Sequence, residues 1–142
     1  MATLFHHNRW ANRRLIAHCA GLSEEQLESE IVGVYGSIRA TLSHMARSEY
    51  GYFWRIRTGQ SYRPDPNSGP MSVAQIGQSL ETSGAGLIEW AGKVGPEDAV
   101  EVNWQGTPRM VPKTIFLTQA INHATEHRAQ VMTMLTQLGI EP

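Results

Sequence analysis

His123-Ala-Thr-Glu-His127 lies near the C-terminus of this 142-residue chain, and His44 stands alone far upstream. Residues four apart on an α-helix share one face, a turn apart. Two imidazoles placed that way can grip one metal ion. A third from another helix would give a three-histidine site with an open coordination position, the usual form of a catalytic metal centre. The spacing alone is a weak signal, because a chain with 6 histidines often holds a pair four apart by chance. Placement strengthens it. Both rings fall on a seam that reads Phe116, Ala120, His123, His127, Val131, Met134, Leu138. A buried imidazole needs a partner, and a metal ion is one. Ala120 and Ala124 leave room beside the two rings.

The other polar candidates are read against this pair. His44 lies about 100° from the centre of its helix's apolar stripe, on a side shared with Thr41 and Ser48. That side is either solvent or the wall of a polar pocket, and His44 gains weight because the pair needs a third ligand. Ala124 stands where a zinc protease holds its general base, and Glu126 points away from the seam, so peptide hydrolysis by that route is disfavoured. Glu49 interrupts an apolar seam, where a carboxylate is costly unless paired. It either bonds a ligand histidine from behind or pairs with an arginine. Asn8 and Asn12, four apart on the first helix, either line a substrate pocket or bond between helices. His6, His7 and His18 carry no spacing argument, and Met132 and Met134 read as packing or surface residues.

Four long helical segments must position these groups. The first spans about residues 3–19, with Leu4, Asn8, Ala11, Leu15 and His18 at spacings of four and three. Ser23-Glu-Glu-Gln26 reads as a capping box opening a short helical turn. The second runs from near Ser37 to near Gly59, with Ile38, Leu42, Met45, Glu49, Tyr52 and Ile56 on its seam. Pro64, Pro66, Pro70 and two glycines make residues 59–71 a loop. Ser72-Val-Ala-Gln75 opens the third, whose inner side carries Val73, Ile76, Leu80, Leu87 and Ala91. Gly77, Gly84 and Gly86 weaken it by propensity. Val100, Val102 and Trp104 alternate before Gly106-Thr-Pro108, a hairpin pattern. Pro112 suits the first position of the last helix, which runs to about Leu138 before Gly139. The sum is one all-α domain over residues 1–142, a four-helix bundle in which each stripe is buried against its neighbours.

Composition narrows the function. A net charge of −1, with no run of Lys or Arg, argues against a nucleic-acid partner. Arg9, Arg13 and Arg14 read as a solvated face. No apolar run approaches a membrane span of about 18 residues, and the N-terminus lacks the long apolar stretch of a signal peptide. Cys19 is the only cysteine, an inert core thiol that suits a cytoplasmic location.

Asn8-Arg-Trp-Ala-Asn-Arg-Arg-Leu15 resembles the N-terminal helix of DinB-like (damage-inducible B) proteins. Gly36-Ser-Ile-Arg-Ala-Thr-Leu-Ser-His44 is similar to the segment carrying that family's first metal histidine. Gly106-Thr-Pro-Arg109 and Asn122-His-Ala-Thr-Glu-His-Arg-Ala-Gln130 look like its final hairpin and helix. The matches span nearly the whole chain in order; Ala129 stands where the family commonly has Gly, a departure that touches no ligand. The resemblance implies an up-down-down-up bundle, often a homodimer, with His44, His123 and His127 holding a divalent metal, zinc or nickel. It further implies a thiol-dependent S-transferase joining a low-molecular-weight thiol to a small electrophile. A metal-dependent hydrolase and a non-catalytic, stress-associated binding bundle are the alternatives.

Overall fold

Ser37, Ser72 and Gly59 set the ends of the two central helices, and the rest of the fold is arranged around them. The computed structural model describes residues 1–66 and 68–142, so one residue of the proline-rich loop, Asn67, lies outside the described residues. Helix α1 spans Ala2–Cys19, the short α2 Glu24–Leu27, α3 Ile38–Thr58, α4 Val73–Ala91 and α5 Lys113–Gln137. The Ser37 hydroxyl accepts from the Ala40 N–H at 3.1 Å, and Gly59 closes α3 in the left-handed region at φ 75°. Both expected capping boxes form, Ser23 with Gln26 and Ser72 with Gln75.

Strands β1 (Ala99–Trp104) and β2 (Thr107–Pro112) pair antiparallel, with Trp104 opposite Thr107. Gln105 and Gly106 both have positive φ, 51° and 85°, the backbone of a two-residue hairpin turn. The fold is therefore mostly helical with one small sheet. Pro112 ends β2 and caps α5 instead of opening it, a shift of one residue. Among the described residues no helix is long and apolar enough to cross a membrane.

Helix α1 packs on α4 and α5, and α3 packs on the same two. Partners run in opposite order between α1 and α4, where Arg9 meets Gly84 and Ile16 meets Gly77. They run in step between α3 and α4, where Glu49 meets Ser83 and Phe53 meets Gly86. The α4 glycines gain their meaning here. A Cβ on Gly86 would lie 2.2 Å from Phe53 Cε2, so only glycine lets α3 and α4 come this close.

Three seams differ from the sequence reading, the α3 seam at one place only, where Phe53 is buried and the expected Tyr52 is half-buried. On α1 the buried face is Phe5, Asn8, Asn12, Leu15 and Cys19, whereas Leu4 is 56% exposed and His18 faces solvent. A four-three alternation fits two neighbouring registers, and the larger Phe5 and the two asparagines select this one. On α5 the buried face is Leu117, Ala120, Ala124, His127, Val131, Met134 and Leu135. Phe116 and His123 stand half-buried at its edge, and Leu138 is exposed.

The core falls into two apolar clusters. One holds Leu42, Met45, Leu80, Val131 and Met134. The other holds Phe5, Phe53, Leu87, Leu117 and Ala120. Between them along α1, α3 and α4 lie the buried polar residues Asn8, Asn12, Glu49 and Ser83.

Candidate metal centre

Helix α3 contributes His44, and α5 contributes His123 and His127 one turn apart. The three rings converge. His44 Nε2 lies 3.0 Å from His123 Nε2, and His127 Nε2 lies 3.2 Å from it. One ligand atom from each residue falls within 4.8 Å of the others. His127 is buried at 5% exposure, and His44 and His123 are half-buried.

These separations suit a cation. A tetrahedral ion bound to nitrogen at about 2.0–2.1 Å holds its ligands about 3.3 Å apart. One proton can bridge two facing nitrogens but leaves the third lone pair without a partner. His127 Nδ1 lies 2.9 Å from Gln130 Oε1, which only accepts. The proton therefore sits on Nδ1, and the Nε2 lone pair faces the cluster. Burial first, then His127 and His44, pushes the His123 imidazolium down to about 4. Burial, then His127, also lowers His44. Both rings are thus held neutral near pH 7, the form that binds metal.

Aromatic rings wall the cluster. Tyr35 stacks on His44 at a centroid distance of 4.0 Å, and Tyr52 stands edge-on to His123 at 5.9 Å. Sequence reasoning placed Tyr52 on the packing seam of its helix and gave neither Tyr35 nor Gln130 a role. Gln130 was findable, since a residue three beyond a helical ligand lies beside it. Tyr35 sits in an irregular segment and carries no periodic signal.

A family profile described as the DinB family matches residues 1–142. The chain belongs to the DinB family. The crystal structure of a DinB-like protein from Bacillus subtilis, YjoA, superposes on this DinB chain with a TM-score of 0.69 at 11% identity, covering 99% of this chain and 93% of that one. At that identity the likeness speaks for the fold alone. No curated protein matches the chain significantly.

The remaining polar candidates of this DinB protein form a separate constellation. Glu49 is 1% exposed, and its Oε2 accepts from Asn8 Nδ2 at 3.0 Å and Asn12 Nδ2 at 2.9 Å. Its Oε1 accepts from the Ser83 hydroxyl at 2.7 Å. Arg128, next in sequence to His127, donates to Asn8 Oδ1 at 2.6 Å and Asn12 Oδ1 at 2.7 Å. Among the described residues Glu49 therefore bonds no ligand histidine and reaches its arginine only through two carboxamides. Asn8 and Asn12 are engaged in bonding between helices. Burial raises the Glu49 carboxyl, against the pull of its three donors and of Arg128. Cys19 is fully buried, and burial pushes its thiol up to about 11.

Proposed function

We propose that this DinB protein is a divalent-metal enzyme, with zinc or nickel held by His44, His123 and His127, that transfers a low-molecular-weight thiol to a small electrophile. The observation that carries the reading is the convergence of three imidazoles, with ring nitrogens 3.0 and 3.2 Å apart. When bound, a divalent ion on three uncharged ligands keeps its full charge and favours the thiolate over the thiol. The chain's own part is positional. Gln130 fixes the His127 tautomer, and burial keeps His44 and His123 deprotonated. Tyr35 and Tyr52 narrow the approach and limit water. In the transfer, the thiolate sulfur bonds the electrophilic carbon, and the leaving group departs with its electron pair.

The proposal includes an up-down-down-up bundle, supported by the in-step contacts of α3 with α4 and the opposed contacts of α1 with α4. It also includes a cytoplasmic homodimer, for which Trp10 and Met132 offer exposed apolar surface beside one cavity. Sedimentation velocity reads the oligomer directly.

Elemental analysis of untagged protein, wild type beside His44→Ala, is the first test. Wild type is expected to carry about one ion per chain and the variant to lose it. A screen of thiols against chlorodinitrobenzene then reads transfer by absorbance. Metal retention with no turnover for any thiol would replace the enzyme with a non-catalytic binding bundle.

A further inference from the structure

Two arginines beside the candidate centre carry charge that no carboxylate answers among the described residues. Arg47 and Arg55, two turns apart on α3, line one cleft of about 350 Å³ with Ser48, Tyr52, Tyr62 and Phe116. Tyr52 joins this cleft to the centre, since its ring also stands edge-on to His123. Arg47 reaches further and lines a second cleft with His44. Each guanidinium makes a single hydrogen bond among the described residues. Arg47 donates to the Gly69 carbonyl at 3.5 Å, and Arg55 donates to the Ser61 hydroxyl. Arg55 is further held with its Cζ 5.5 Å from the Phe116 ring centroid. Neither takes part in an ion pair among the described residues, whereas Arg9, Arg39 and Lys93 all do.

A guanidinium presents five N–H donors in a planar fork that matches a carboxylate. Aromatic faces beside it suit a flat apolar body. We propose that this cleft binds a small organic carboxylate with a flat apolar body, its charge on Arg47 and Arg55 and its body against Tyr52 and Phe116. The inference rests on the three-histidine cluster being the reactive centre and names the class of substrate delivered to it. The carboxylate belongs to the electrophile or to the thiol, and the two sources are separable by probe.

The test is calorimetric titration of the purified full-length chain with trans-cinnamate, which is flat and has no sulfur. Cinnamamide serves as its uncharged partner, and N-acetylcysteine as a thiol carboxylate without a flat body. Metal content is measured on the same samples. Cinnamate is expected to bind at least about tenfold more tightly than cinnamamide, the worth of one charge-assisted contact. Arg47→Met and Arg55→Met should each weaken cinnamate by a similar factor with metal content unchanged. His44→Ala should lose metal and keep cinnamate binding, which separates failure of the cleft from failure of the centre. Equal binding of acid and amide, or undiminished binding in both arginine variants, would overturn the proposal. Tighter binding of N-acetylcysteine than of cinnamate would overturn the flat body and assign the carboxylate to the thiol.

Discussion

Replacing Glu49 separates two accounts of why a carboxylate sits buried between these helices. Glu49→Ala removes an acceptor from three buried donors, the amides of Asn8 and Asn12 and the Ser83 hydroxyl. An orphaned buried donor costs about 1–3 kcal/mol; the Ser83 hydroxyl keeps the Ser79 carbonyl at 3.1 Å, so the two carboxamides together give about 2–6 kcal/mol. Truncating a buried charge beside Arg128 falls in the same range, about 3–5 kcal/mol. Glu49→Gln is different. Its Oε1 can face the two asparagines, and its NH₂ can face Ser83, whose hydroxyl can turn to accept while still bonding the Ser79 carbonyl at 3.1 Å. The contacts survive and the buried charge goes, so the expected change is about 1 kcal/mol or less. Urea unfolding at pH 7 measures both. The sign with pH follows from the raised Glu49 carboxyl. Its contribution is full below the unfolded carboxylate range and is lost as pH rises through the folded value. The stability of wild type relative to Glu49→Gln should therefore fall as pH rises. Equal loss in the two variants would refute the hydrogen-bond argument, and a Glu49→Ala loss under about 1 kcal/mol would refute the whole network.

Other perturbations follow from the same geometry. In metal-free protein the His123 ring, held down to about 4, should titrate there in an NMR pH series and not at the ordinary imidazole value. The unfolded chain takes up that proton first, so metal-free stability should decline as pH falls from about 6.5 through the folded value. The same depression moves proton competition for the metal below the free imidazole range, so partial metal retention at pH 5 is compatible with histidine ligation. Gln130→Ala, which frees the His127 tautomer, should weaken metal affinity about 10–100-fold by competition with a chelating dye. Gly86→Ala should destabilise by about 1–3 kcal/mol against Phe53. Gly51→Ala, with nothing within 4 Å of the added carbon, should stabilise by about 0.5–1 kcal/mol in the same urea assay.

The elements were legible because their ends carry local chemistry. Ser37, Ser72, Gly59 and the alternating Val100, Val102 and Trp104 are short-range signals, and each lies at or within one residue of a boundary or inside the hairpin. The faces were less legible, because a four-three pattern on α1 fits adjacent registers equally and only packing against the other helices chooses Phe5 over Leu4. His123 and His127 were visible as a pair through helical spacing. His44 was joined to them weakly by the pair's need of a third ligand and firmly only through the family resemblance, since no local rule relates residues 79 apart. The roles of Glu49, Asn8 and Asn12 were left open for the same reason. Their partner Ser83 comes from α4 and Arg128 from α5, and a sequence pattern does not reveal which polar side chains will meet across four helices.

Cys19 has a consequence for any chemistry this protein carries out on electrophiles. Its sulfur is sealed inside the core and held as the neutral thiol at physiological pH. Under the proposed transfer, the chain's own sulfur would therefore be spared from alkylation by the electrophile. For the experimenter, a thiol-reactive dye added to the native protein counts only the sulfur supplied from outside, so a fall in label uptake would read the consumption of an added thiol without background from the protein.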